Sequence, residues 1–280
     1  MSRTKKAVII GSVLVGIGVI IGFIGIAIGG FKFPNGAVDL TTMKALHTEK
    51  KTVQIADAFD KIEIAGASSM DIEICKSKTG KNYVEYYDTD DWTSHVDVKD
   101  HVLKFTTDDK GKHKAIVSLG FGKDTRTRIY LTDAEYKEIA VTTLSGYVTI
   151  QDVNAETVNV SASSGDLYMK NINVPDSIMA TSSSGDIDLE NATAKQIELG
   201  ANSGDIEMQD ITAESLRMST SSGDIDLESC DAEKFDITTS SGDVDMEITA
   251  GRTYRFETKP IAELWMFRME MRIPTICARL

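Results

Sequence analysis

The chain has 280 residues, 43 Asp and Glu against 30 Lys and Arg, and a net charge of −13 at neutral pH. That balance argues against a nucleic-acid partner, because neutralising phosphates needs a basic face. Three isolated cysteines (Cys75, Cys230, Cys277) and four scattered histidines (His47, His95, His101, His113) give no disulfide framework, no zinc spacing and no nucleophile–base pairing.

A basic head, residues 1–6 with Arg3, Lys5 and Lys6, precedes a run from Ala7 to Gly30 that holds no charged side chain. A bilayer core needs about 20 helical residues to be spanned, so 7–30 reads as a transmembrane signal anchor. The positive-inside rule keeps the head in the cytoplasm and puts everything after Gly30 outside. A cleaved signal peptide would have a shorter apolar region and a small-residue cleavage site, and this exit has none. Within the run, Gly18 and Gly22, and Gly25 and Gly29, form two small-xxx-small pairs. Such pairs let helices approach closely, which makes these four glycines candidate helix–helix contacts and self-association an expectation to test. Residues 31–52 read as a polar tether.

Residues 53–138 read as a β-rich capping region. Ile62/Ile64 and Ile72/Ile74 alternate around a turn, followed by a Tyr-rich strand at 83–87 and further strands at 96–98, 102–105 and 126–131. An open stack of coils needs such a cap, because an exposed apolar end with unpaired edges aggregates.

The strongest signal lies in 139–259. Ser-Gly turns occur at Gly146, Gly165, Gly185, Gly204, Gly223 and Gly242, spaced 19 or 20 residues apart. After each glycine runs a short alternating strand, such as Asp224-Ile225-Asp226-Leu227-Glu228; before each comes an apolar pair, such as Ile197/Leu199. Period-two alternation puts one set inside and the other in water. One unit has too few apolar residues to bury a core alone, so units at a constant period must stack. The fold expected is therefore all-β, a parallel β-solenoid of 19–20-residue coils behind one N-terminal transmembrane helix. Glycine at each turn is expected to supply φ > 0, and the flanking Ser and Asp to hydrogen-bond local backbone.

Tyr254 and Phe256 continue the inward pattern, but the seventh turn due near position 261 is missing. Read in a shifted frame, the codons of 260–267 accommodate Asn-Ser-Gly-Val-Val-Asp-Val, a turn and strand of the repeat. The tail 260–280 is thus expected to be a frameshift product, with an amphipathic cap as the rival reading.

Between Gly146 and Thr249 stand 21 Asp and Glu against four Lys and Arg. Asp186, Asp205, Asp224 and Asp243 form one column, and Asp188, Glu207, Asp226 and Asp245 a second, on coils expected about 4.8 Å apart. Like charges so placed repel. Three readings stand side by side: loosely held calcium, with these eight carboxylates as weak ligand candidates; a cationic peptide, cell-wall or protein partner on the acidic face; or a solvated face that keeps the sheet soluble. Glycoside hydrolysis needs two carboxylates about 5–10 Å apart, but nearly any pair here satisfies that, and no inserted loop, P-loop or nucleophile elbow interrupts the coils. No catalytic residue and no cofactor is assigned.

The Ser-Gly-Asp-Ile/Val-x-Leu/Met turns, with the entry Phe59-Asp60-Lys61-Ile62-Glu63-Ile64, resemble the putative-adhesin domain of LiaG-like bacterial cell-envelope proteins over roughly residues 50–259. The resemblance implies a non-enzymatic, extracytoplasmic binding or scaffolding module of a family without assigned function, some of whose genes neighbour envelope-stress regulators. It transfers no catalytic residue. Two other readings are a regulatory partner that meets a membrane sensor through the Gly-rich helix, and a polysaccharide-active enzyme.

Overall fold

The computed structural model describes residues 37–39, 44–45, 48–89, 92–109, 116–118 and 126–248, and all regular structure among them is β. The 7–30 segment with Gly18, Gly22, Gly25 and Gly29, the tail 260–280, and Tyr254 and Phe256 lie outside the described residues. In chain order the strands are β1 (Ala37–Asp39), β2 (Lys44–Ala45), β3 (Thr48–Gln54), β4 (Lys61–Ser69), β5 (Ile72–Lys76), β6 (Tyr83–Thr89), β7 (Trp92–Lys99), β8 (Val102–Asp109) and β9 (Ile116–Ser118). They continue as β10 (Thr127–Leu131), β11 (Glu135–Ser145), β12 (Val148–Gln151), β13 (Asn154–Ser164), β14 (Leu167–Ser184), β15 (Ile187–Ser203), β16 (Ile206–Thr220), β17 (Ile225–Thr239) and β18 (Val244–Ile248).

The chain divides into two compact units, one of residues 1–47 and 114–124, the other of 48–113 and 125–280. In the first, β1 pairs antiparallel with both β2 and β9. The second is the solenoid.

The solenoid has two walls. The first wall holds the strands that follow each Ser-Gly turn. Ile72, Val148, Leu167, Ile187, Ile206, Ile225 and Val244 are consecutive parallel register partners on it, and none is more than 2% exposed. The second wall holds the strands that precede each turn, with Leu103, Ile62, Ile139, Val158, Ile178, Ile197, Leu216 and Phe235 in register. From β14 to β17 one strand runs from the first wall around a corner to the second. The two columns face each other and make the core. Burial of each large side chain contributes roughly 1.5–3 kcal/mol, and each inner coil shares that interior with the coils on either side, which explains why the repeat needs neighbours.

The coils begin before the first Ser-Gly turn. β4 and β5 stack in parallel register against β11 and β12, so residues 61–76 form a coil. β8 and β10, later in sequence, pair in parallel on the other side of β4 and β5. Chain order and stacking order therefore part at this end. The antiparallel strands β6 and β3 extend the first wall beyond β10, and antiparallel β7 extends the second beyond β8. Tyr86 packs edge-on against Phe105, with ring centroids 5.8 Å apart. Nearby, buried Asp88 takes Lys51 Nζ at 2.6 Å and the Ser94 N–H at 2.8 Å.

The turn glycines supply the expected positive φ at four of six turns and meet a second demand at all six. Gly146, Gly165, Gly223 and Gly242 have φ between +118° and +157°, but Gly185 and Gly204 are not in the left-handed region. What the six share is contact. A Cβ on Gly146 would overlap the carbonyl of Met70, and a Cβ on each of the others would overlap the carbonyl of the turn glycine one coil earlier. Glycine is required because the turns nest. The opposite corner is also built from one residue per coil: Asp152, Asn171, Asn191, Asp210 and Ser229 all sit in the left-handed region, with φ from +51° to +56°. Short polar side chains tolerate that conformation by bonding locally. Here Asn171 Nδ2 donates to Asp152 Oδ1 at 2.9 Å, and Asn191 Nδ2 to Asn171 Oδ1 at 2.8 Å.

Candidate binding face

The two acidic columns have different functions. Asp166, Asp186, Asp205 and Asp224 each accept, through Oδ1, the backbone N–H of the turn Asp in the following coil, at 2.7–3.0 Å. Their own carbonyls accept from the coil before, as from Val148 and Leu167 to Asp166 and Asp186. Of the first column's calcium candidates, Asp186, Asp205 and Asp224 thus hold the stack together, and Asp243 donates its N–H to the last of these bonds.

The second column is a surface. Asp188, Glu207, Asp226 and Asp245 are register neighbours on the outer side of the first wall. Partial burial, with the charges of Glu207, Asp186 and Asp166, pushes the Asp188 carboxyl up to about 6. Asp226 is raised for the same reasons, burial first and then Asp245, Glu207, Asp224 and Asp205. Among the described residues no three His, Cys, Asp or Glu side chains are arranged to hold a metal ion, so the eight carboxylates named as calcium candidates do not converge on one point.

Toward the β3 end the same outer face changes character. The column of Asp188 continues through Tyr168, Thr149, Glu73, Arg128 and Glu85. The next column outward from the turn runs through Glu190, Lys170, Gln151, Cys75, Tyr130 and Tyr83. Tyr83 and Tyr130 are stacked, centroids 4.3 Å apart; burial, then Glu85, pushes the Tyr130 hydroxyl up to about 12. Lys170 and the Tyr168 hydroxyl both bind Glu190, which holds the Glu190 carboxyl below its usual range. At the left-handed corner beside this half lies an open depression of about 500 Å³, lined by Lys76, Lys78, Asp133, Asp152 and Asn171 among others.

The cysteines are not chemical groups of the site. Burial pushes the Cys75 thiol up to about 11 and that of Cys230 up to about 12, which keeps both protonated and unreactive near neutrality; Cys277 lies outside the described residues. His95 meets Asp108 at 3.1 Å on the exposed side of the β7–β8 hairpin.

A repeat stack with nested glycine turns defines a class of protein, and the chain belongs to one such family: the Toastrack DUF4097 model matches residues 59–259. Similar solved structures include a putative adhesin from Bacteroides fragilis (22% identity, 72% of this chain and 89% of that one, TM-score 0.48). Others are a putative adhesin from Parabacteroides merdae (13%, 81% and 92%, 0.42) and a putative cell adhesion protein from Clostridium sporogenes (11%, 72% and 100%, 0.38). A search of curated proteins gives no match.

Proposed function

We propose that this protein is a non-enzymatic binding or scaffolding module of the bacterial cell envelope, held outside the membrane by a span over residues 7–30 and linked to envelope stress. Its working surface is the outer face of the first wall. One observation carries this reading: the outward side chains of that wall stand in columns of register partners from β3 to β18, which makes an extended platform suited to a partner. The carboxylate half favours cations and basic segments, because neighbouring negative charges at strand spacing sum into one field.

The test is calorimetric titration of the full-length protein, in detergent, with calcium and separately with a lysine-rich peptide. Saturable heat is expected with at least one of them. It should be lost when Asp188, Glu207, Asp226 and Asp245 are changed to their amides, which leaves the turn Asp ladder intact. No heat with either ligand at physiological salt would remove the acidic half as a binding surface.

A further inference from the structure

The outer face is not uniform, and its departures from the repeat are confined to one half. Where later coils carry Asp166, Asp186, Asp205, Asp224 and Asp243 after the turn glycine, the coil of Gly146 carries Tyr147, which is 60% exposed. One coil later, Tyr168 stands in the column that continues as Asp188, Glu207, Asp226 and Asp245. The stacked Tyr83–Tyr130 pair lies on the same face, four and three strand positions from Tyr168. Neither Tyr147 nor Tyr168 is demanded by the stack, since neighbouring coils fold with Asp or Thr at the corresponding places.

Four basic side chains in this half pair internally, and Asp71 and Asp166, on either side of Tyr147 in its column, accept backbone N–H groups. Arg126 and Arg128 both reach Glu73 Oε2, at 3.4 and 2.9 Å. Lys50 binds Glu85 at 3.0 Å, and Lys170 binds Glu190 at 2.5 Å. What the half offers a partner is therefore the exposed ring of Tyr147, the half-buried rings of Tyr83, Tyr130 and Tyr168, and planar polar groups, the half-buried guanidinium of Arg128 and amide of Gln151, with fewer carboxylates than the other half. That combination complements an uncharged chain rich in hydroxyls: ring faces take the C–H side of a sugar, and amides and guanidinium groups bond its hydroxyls. An extended sheet face suits a polymer better than a small molecule, which needs a concave site. The strand spacing of about 4.8 Å is close to the length of one pyranose unit, so successive sugars of a strand laid along the stack meet successive coils.

We propose that the tyrosine-bearing half of the first wall, centred on Tyr83, Tyr130, Tyr147 and Tyr168, binds a neutral polysaccharide strand lying along the stacking direction. This rests on the reading of the outer face as the working surface and names the ligand class for the half that is not acidic.

The experiment is affinity electrophoresis and calorimetry of the full-length protein with two probes, chitohexaose and laminarin, beside the lysine-rich peptide used for the acidic half. The variant is Tyr147→Asp with Tyr168→Thr, residues that the next coil and the previous coil carry there, so the stack is expected to form; its melting curve checks this. Tyr130→Ala is the second variant. Saturable binding of at least one glycan is expected, weakened roughly tenfold or more in each variant, with peptide binding unchanged. Failure of both glycans to bind, or undiminished binding by a folded double variant, overturns the proposal. If glycan binding fails while the peptide still binds, only this inference falls; if neither binds, the reading of the face falls with it.

Discussion

At the residue scale, the turn glycines and the Asp that follow them act as a unit, and both act between coils. A side chain at Gly204 would enter the carbonyl of Gly185, and backbone cannot retreat as a flexible side chain can. Gly204→Ala should therefore lower stability by about 2–4 kcal/mol, at the severe end for a single methyl group, read as a fall in the thermal midpoint. The same change at Gly200, whose nearest neighbours are side-chain atoms at 3.6 and 3.7 Å, should cost far less. A comparable cost at both positions would show that the turns do not nest as described.

At the element scale, the first wall confines like charges on adjacent strands. Asp188 titrates at about 6 in the fold against about 4 in an unfolded chain. A carboxyl with a raised folded pKa binds its proton more tightly in the native state, so stability falls as pH rises from about 4 to about 6 and stays reduced above that. Asp188→Asn should raise the thermal midpoint at pH 7, by an amount equivalent to about 1 kcal/mol once solvent screening is allowed for. It should also flatten the pH dependence in that window. Melting curves of both proteins between pH 4 and pH 8 check this; an unchanged slope would mean that solvent already screens the array. Lys170 works in the opposite sense on Glu190, tying β14 to β15.

At the scale of the whole solenoid, each coil contacts its neighbours and no distant element, so local stability should follow position in the stack. β14, β15 and β16 have a partner on both sides along their length, whereas the described part of β18 pairs only with β17, and β3 and β7 each end a wall. Native-state hydrogen exchange should find the slowest amides in β14–β16 and the fastest in β3, β7 and β18. A single protection level throughout would indicate a fully cooperative unit instead.

The inward half of the fold was legible from the residues alone. Strict alternation over a constant 19–20-residue period leaves stacking as the only way to bury Ile, Leu, Val and Met, so wall, turn and register follow from spacing. The acidic column of Asp188, Glu207, Asp226 and Asp245 was legible for the same reason. The left-handed corner went unread although its signal, Asp, Asn, Asn, Asp and Ser at the same period from Asp152 to Ser229, is present; short polar residues are common on exposed strands and single out no corner by themselves. Three further points were decided only in three dimensions. The carbonyl beneath each turn made glycine obligatory where φ alone did not. The N–H of the next coil gave Asp205 and Asp224 a place in the scaffold. Antiparallel pairing of β6 with β10, and parallel pairing of β10 with β5, β5 with β12 and β12 with β14, brought Tyr83, Tyr130, Tyr147 and Tyr168 onto one face. Contacts between strands distant in sequence carry no periodic mark, because they depend on which strand lies beside which, and that order is set by stacking and not by the chain.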